Sequence, residues 1–472
     1  MAEDLASGAN GNWNGSRPPL PQPPAHPAGG ALAEARGAPD VFMHIIEQSM
    51  LVAAHLRDDY FDTTLAVADA LREMASGPNG LLAIGTLSKT DLEPRTVAFV
   101  DGGIGRVNLN LAVPVIVRAG IFRVKEGETD PDLHETFAHF PLVLGELDGG
   151  LKTDAGYATV VRALVEAMAL RAVMYEPDFR DVDLVMLHGP LVYLADPLFR
   201  HWFPKCDLHR ILGAGPGAEE VVAGFDRWCG RCRYTASDDC RASRAADQTP
   251  AMCVLAFLLE DVVECCRRKG KLLCGVVERS SARGLVRRCL RKLADSGHPA
   301  LTALTAQMSA TGNRKVSARL VEDVLEATRY RDSMLMALAL RRGEYTEPEP
   351  LVKGGNDRRQ ALFPAVLSSY LRPTRSRPLR VEMPDWLSQS EQVEVLSRVY
   401  AYADLLPGYA FPIGLDIVDK YTAIPGWMTK AFETNIRWEY GRLMAGQPPQ
   451  LGHLADHMFF QPGRSRATRP GV

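Results

Sequence analysis

Three polar residues carry the chemistry that this chain suggests: Asp101, Glu166 and His188. Asp101 closes an apolar run, Thr96-Val97-Ala98-Phe99-Val100, and is followed by Gly102-Gly103 before apolar residues resume between Val107 and Val113. A buried strand with an acid at its tip holds that acid rigidly at a sheet edge, and glycines beside it let a metal ion or a phosphate approach the backbone. The same residues also read as a hairpin, because Asp-Gly between apolar runs is a turn signal. Glu166 lies in 154–176, where Val161, Leu164, Val165, Met168, Leu170 and Val173 predict a helix. His188 follows a second short apolar run, Asp183-Leu184-Val185-Met186-Leu187, and precedes Gly189-Pro190. A helix carboxylate facing two neighbouring strand tips can hold one or two divalent cations. Hard cations take carboxylate oxygens, and manganese also accepts imidazole. Two such ions hold a phosphodiester for in-line attack by water and stabilise the leaving oxygen. Taken singly, Glu166 reads as a solvated helix residue and His188 as a turn histidine.

A second signal is electrostatic. From Arg267 to Lys292 there are ten basic residues, Arg279, Arg283, Arg287 and Arg291 among them, against a single acid, Glu278. Arg283, Arg287 and Arg291 share one helical face at four-residue spacing, which suits a phosphate backbone, although a solvated helix face has the same pattern. A third signal is Cys229-Gly230-Arg231-Cys232, a zinc-knuckle spacing, with Cys240 eight residues on and Cys206, His209 or Cys253 as further candidate ligands for a structural Zn2+. Cys265, Cys266, Cys274 and Cys289 read as buried thiols.

The elements that must position these groups alternate in type. Residues 1–40 are rich in Gly, Pro, Ala and Asn and cannot bury a core, so a disordered tail is expected there. Residues 41–76 read as helical, with a wide apolar face that needs a partner and predicts a homodimer. Strands are expected at Leu81–Ile84, Thr96–Val100, Val107–Val117, Gly120–Val124, Asp183–Leu187, Leu272–Val277 and Leu379–Met383. Helices are expected at 154–176, 281–294, 316–340 and Ser390–Leu405, with a strand or helix start at Ile413–Ile424. Residues 200–265 read as irregular, and 461–472 as a loose basic tail. The reading is an α/β fold with a mixed central sheet flanked by helices: a main domain over 41–460, carrying a Cys-containing insertion at about 200–270.

Composition sets the outer bounds. The chain has 472 residues, 46% hydrophobic and 24% charged, with net charge −3, so nucleic-acid binding must come from a local patch. No uninterrupted apolar run is long enough for a membrane span, and no secretory signal is visible. Nine cysteines, an odd number scattered over one region of a long chain, suit reduced thiols and a cytoplasmic protein.

The chain resembles the NurA family, metal-dependent nucleases with an RNase H-like core that partner HerA-type hexameric ATPases. Val97–Gly103 is similar to the family's strand ending in Asp-Gly-Ser, and Arg162-Ala163-Leu164-Val165-Glu166 to its Arg-x-x-x-Glu helix. Leu184–Leu191 is similar to its second apolar strand with Asp-Gly-Ser-Leu, and Gly275–Ser281 to a strand that runs into Lys-Ser/Thr. Arg331-Asp332 with Arg342-Gly343-Glu344-Tyr345-Thr346, Leu379-Arg380-Val381-Glu382-Met383-Pro384, and Tyr409-Ala410-Phe411-Pro412 with Leu415 and Asp419 complete the series, in order over roughly residues 90–440. The resemblance implies DNA as substrate, Mn2+ or Mg2+ as cofactor, a homodimer and a HerA-type ATPase as partner. It implies Asp101, Glu166, His188 and Asp419 as the catalytic, metal-binding set, with the arginine strip guiding DNA. Three positions depart from the pattern: His188 stands for the second aspartate, Asp419 for the closing histidine, and Glu278, next to Arg279, for the lysine expected near the basic strand. A histidine in place of aspartate lowers the negative charge and predicts weaker cation binding. The alternatives are a catalytically silent NurA-like adaptor that binds DNA or docks on an ATPase ring, and a zinc-stabilised scaffold.

Overall fold

In the computed structural model the described residues are 38–55, 62–77, 80–87, 92–106, 115–130, 135–144, 155–193, 202–204, 218–231, 248–310, 320–351, 362–374, 377–406 and 408–444. The chain divides into two compact units, Met1–Thr63 and Thr64–Val472. The first contains helix α1 (Ala38–His55), on which Met43, Ile45, Ile46, Met50, Leu51 and Val52 are all exposed.

The second unit is organised by a ten-stranded sheet. Along the chain run α2 (Asp62–Ser76), β1 (Ile84–Thr86), β2 (Thr96–Arg106), β3 (Val115–Lys125), β4 (Glu135–Leu144), α3 (Ala155–Tyr175) and β5 (Leu184–His188). The short strands β6 (Trp202–Pro204) and β7 (Gln248–Pro250) pair separately, with α4 (Ala218–Arg231) between them. Next come α5 (Ala251–Lys269), β8 (Leu272–Val277), α6 (Gly284–Asp295), α7 (Pro299–Ala310), α8 (Leu320–Thr328) and α9 (Asp332–Ala339). The chain continues through β9 (Glu344–Thr346), β10 (Glu349–Pro350), β11 (Val366–Leu371), β12 (Leu379–Pro384), α10 (Gln389–Ala403), α11 (Ile413–Thr422) and α12 (Gly426–Met444). Strands β4-β3-β2-β5-β8 are consecutive in the sheet. β3 is antiparallel to β2 and β4, while β5 and β8 run parallel to β2, which is the arrangement of an RNase H-like core.

Period-two alternation divides the core between the two faces of this sheet. Ala98, Val100, Val185, Leu187 and Leu273 face the layer made by α3 and α5. Val97, Phe99, Leu184, Met186, Cys274 and Val276 face α10 and α11. Strands buried on both faces read as continuous apolar runs, which is why 96–100, 183–187 and 272–277 were legible as strands. A separate helical cluster joins α2, α6, α8 and α9 around Leu71, Leu290, Val324 and Met336.

Two interactions at the strand starts set the register that matters for the site. Asp183 N donates to Thr96 O at 2.9 Å, and Thr96 N donates to Asp183 Oδ2 at 3.0 Å. Buried Lys271 donates to the carbonyls of Phe179 at 3.0 Å, Arg180 at 3.2 Å and Val182 at 2.7 Å, fixing the turn that leads into β5. From that start the parallel pairs are Val97↔Leu184 through Val100↔Leu187. Asp101 and His188 are the next residues of each strand.

Several expectations need correction. Asp101 is neither in a hairpin turn nor at a strand end: β2 continues to Arg106 and pairs with β3 throughout, Asp101 opposite Gly120. What ends at Val100 is the pairing with β5. Within 200–265, expected to be irregular, residues 218–231 and 251–265 are helical, in α4 and α5. α5 has twelve buried residues and no single apolar stripe, so its helical period is hidden in the sequence. Burying each large side chain stabilises by about 1.5–3 kcal/mol, more than the propensity differences of under about 1 kcal/mol that would oppose a helix. The single helix expected at 316–340 is two, broken at Arg329 with φ 54°. α7 was not expected, and Ile413–Thr422 is a helix. Residues 107–114, 1–37 and 461–472 lie outside the described residues.

Candidate metal centre

Asp101 leaves the buried part of β2 with both carboxylate oxygens engaged. Gly102 N donates to Oδ1 at 2.7 Å, and His188 Nδ1 lies 2.8 Å from Oδ2. α11 packs over β2 and β3 and brings in Asp419, with a carboxylate oxygen within 4.8 Å of one of Asp101. One ligand atom from each of Asp101, His188 and Asp419 can be chosen so that all lie within 4.8 Å of one another. Asp101 is buried, His188 half-buried and Asp419 exposed, so the cluster opens to solvent on the α11 side. The ring of Phe411 covers His188, with centroids 4.9 Å apart.

Glu166 reaches the same region from α3 and is 1% exposed. Its Oε2 accepts from Tyr193 Oη at 3.0 Å. Its Oε1 lies 3.2 Å from Arg162 Nε, close enough for charge attraction, but the alignment is not that of a hydrogen bond, and both atoms are buried without such a partner. Burial raises the Glu166 carboxyl to about 7; Arg162 opposes that rise and Asp101 adds to it. For His188, burial favours the neutral ring, but the hydrogen bond and charge of Asp101, with help from Glu166 and Asp419, raise its pKa above 6.5. Asp419 is raised by burial and by Asp101. Carboxyls pushed upward beside an orphaned acceptor mark a place where negative charge lacks compensation. A divalent cation fits that deficit, and oxygen with imidazole donors are a set that Mn2+ accepts.

The glycines after Asp101 do something other than expected. A Cβ on Gly102 would lie 2.7 Å from Glu166 Oε1 and 2.9 Å from Arg162 Cγ, and one on Gly103 would lie 2.0 Å from Thr422 O. They admit α3 side chains and the end of α11 rather than a metal or a phosphate. Arg118 holds that end by donating to Thr422 O at 3.2 Å and Ala423 O at 2.7 Å.

Sequence reasoning missed several contributors. Tyr193 has no local signal. Glu382 stood in a quoted motif without a role; it is fully buried, and its Oε2 accepts from Leu191 N at 2.8 Å and Val192 N at 3.1 Å, shaping the loop after His188. Asp416 is held by Lys420 and Tyr409. In the arginine strip, Arg287 pairs with Glu322 at 2.8 Å and Arg288 with Glu349 at 3.3 Å, while Arg279 is mostly exposed beside Glu278. Of the zinc candidates, Cys229 ends up near the C-terminus of α4 and Cys253 is buried at the start of α5. Cys206, His209, Cys232 and Cys240 lie outside the described residues. Cys265, Cys266, Cys274 and Cys289 are buried, as expected.

The NurA domain model matches residues 95–424, from the first residues of the paired strand β2 to the end of α11. The chain belongs to the NurA family. No curated protein matches it significantly. Among solved structures, it is similar to the NurA nuclease from Sulfolobus solfataricus at 11% identity, covering 87% of this chain and 98% of that one, with TM-score 0.45. A NurA structure bound to dAMP and manganese aligns at 11% identity, over 80% and 94%, with TM-score 0.35. Human ENDOV aligns at 11% identity, over 76% and 95%, with TM-score 0.26. The NurA match encloses every residue of the cluster, from Asp101 to Asp419. No helix among the described residues is long and apolar enough to cross a membrane.

Proposed function

We propose that this NurA-family protein is a divalent-metal-dependent DNA nuclease, with Asp101, His188 and Asp419 as metal ligands and Glu166 beside them. One observation carries the reading. Two of the positions that depart from the family pattern, His188 and Asp419, come together with Asp101 in a single cluster. Read one at a time they looked like a loss; read together they exchange an aspartate and a histidine between two positions that share one site. Two carboxylates and one imidazole remain, and at these positions the charge is that of the unexchanged pattern. This favours a living centre over a silent adaptor.

A divalent cation bound at such a set supplies charge stabilisation at the phosphate and a more acidic water. The chain's own residues do the rest. Gly102 N–H and the His188 ring orient Asp101. Tyr193 holds one oxygen of Glu166, leaving the other without a hydrogen bond. Glu382 fixes the loop after His188. Phe411 shields one side of the imidazole from water.

The proposal extends to manganese as the preferred ion, and to a cytoplasmic role in DNA end processing or repair with a HerA-type hexameric ATPase. A homodimer is supported by the exposed apolar residues of α1, and light scattering at micromolar concentration tests it. The decisive measurement is Asp101→Asn. It should abolish manganese-dependent DNA degradation and calorimetric manganese binding while leaving thermal stability nearly unchanged. Full activity and metal affinity in that variant would sink the assignment.

A further inference from the structure

A second concavity lies at the same sheet edge, on the β8–β12 side. His188 pairs with Val276 of β8, and α6 begins at Gly284, a short loop beyond. The cavity has a volume of about 610 Å3 and is lined by Arg283, Arg287, Arg288 and Arg291 from α6 and its N-cap, together with Arg380 from β12. Such a volume accommodates a nucleotide-sized ligand. Arg380 is the residue that points to an anion. It is 7% exposed, and its Nε is buried with no hydrogen-bond partner. Its Nη2 sits 2.7 Å from Glu382, the residue that shapes the loop after His188. Glu382 compensates the charge of the guanidinium, but its buried Nε–H lacks an acceptor; that is unfavourable, and a ligand oxygen would relieve it.

Of the carboxylates lining the cavity, Asp332 and Glu349 are engaged by other groups and Glu347 is exposed. Asp332 accepts from Leu285 N at 3.0 Å and Val286 N at 2.9 Å, so it already occupies the N-terminus of α6, and the helix end adds nothing for a ligand. Glu349 and Glu322 hold Arg288 and Arg287 in half-exposed pairs, which contribute little and exchange readily. Arg291 is exposed, and among the described residues Arg283 makes one long bond, 3.4 Å, to Leu325 O.

We propose that this cavity binds a backbone phosphate of a nucleic-acid strand, with Arg380 in its buried wall and Arg283 and Arg291 as the exchangeable cations. The path of that strand toward the Asp101 cluster rests on the nuclease reading; the phosphate site itself does not. A phosphate contact of this kind sets register and affinity without reading bases.

The test uses the full chain in EDTA with a labelled single-stranded oligonucleotide, followed by anisotropy over a salt series. Arg283→Gln with Arg291→Gln should weaken binding of all sequences alike and lower the log–log salt slope by about one per arginine. Ser368→Phe fills the cavity from β11 without changing charge and should weaken binding roughly tenfold; the arginine variant, altered at α6 and its N-cap, carries the test if the filled cavity fails to fold. Unchanged affinity and slope would overturn the inference even where manganese-dependent cleavage persists. Cavity-dependent binding by a wild type that never cleaves would leave it standing and remove the nuclease reading instead. Free dTMP, titrated calorimetrically, separates the two sources of phosphate. Tight dTMP binding lost in Ser368→Phe, with oligonucleotide binding unaltered, would overturn the assignment to a strand.

Discussion

Replacing Glu166 with glutamine isolates the electrostatics of the centre from its shape. The side chain is 1% exposed, and burial raises its carboxyl from 4.5 to about 7. Between those values the folded chain keeps a proton that the unfolded chain has released. The folded state binds more protons, so this group makes stability fall as pH rises through the window. The distance from 4.5 to about 7 is worth about 3 kcal/mol, at about 1.4 kcal/mol per pH unit. Glutamine keeps an acceptor for Tyr193 and cannot ionise. Urea unfolding in EDTA, at steps from pH 4.5 to 8, should therefore show the variant gaining about 3 kcal/mol relative to wild type across the range, whatever the constant offset from losing the Arg162 attraction. His188 and Asp419 titrate in both proteins, so the difference curve removes most of their contribution. Manganese at pH 8 should restore wild type more than the variant, because a cation favours the ionised carboxylate. Parallel pH curves for the two proteins would refute the argument: Glu166 would then ionise as freely in the fold as out of it.

Three further outcomes are expected. His188→Asp with Asp419→His together should retain manganese binding, whereas Asp419→His alone should weaken it, since the single change removes a carboxylate that the pair conserves; calorimetry on wild type, both single variants and the double reads the non-additivity. Manganese affinity should rise with pH through the region above 6.5 and then level, because the raised His188 proton competes with the ion; a flat profile would remove the imidazole from the ligand set. Gly102→Ala should cost about 1–3 kcal/mol in denaturant unfolding and displace Glu166, since its Cβ would lie 2.7 Å from Oε1; an unperturbed stability would show that α3 yields more easily than its packing suggests.

Much of the frame was legible in the sequence. Strands buried on both faces announce themselves as unbroken apolar runs, and β2, β5 and β8 were read from such runs, whereas β12 alternates Leu379, Val381 and Met383 with Arg380 and Glu382. α3 and α10 were read from their spacing; Asp101, Glu166 and His188 were proposed from types and local patterns, and Asp419 from the family resemblance. α5 was lost because a helix buried on most sides shows no stripe. The arginine strip was counted correctly, but its partners Glu322 and Glu349 lie far along the chain.

Residue type and local period, then, determined which groups could do chemistry and which segments would be strand or helix. The tertiary structure alone decided that they meet. Asp101 stands beside His188 because Thr96 and Asp183 pin two parallel strands at their starts, and equal rise per residue brings both strands to the same point five residues later. Asp419 joins them because α11 packs over the glycine-bearing stretch of β2, where a Cβ at Gly103 would collide with Thr422. A one-residue slip in either register would turn Asp101 or His188 to the opposite face of the sheet, and no local pattern encodes which register wins, because register is fixed by contacts between segments far apart in sequence.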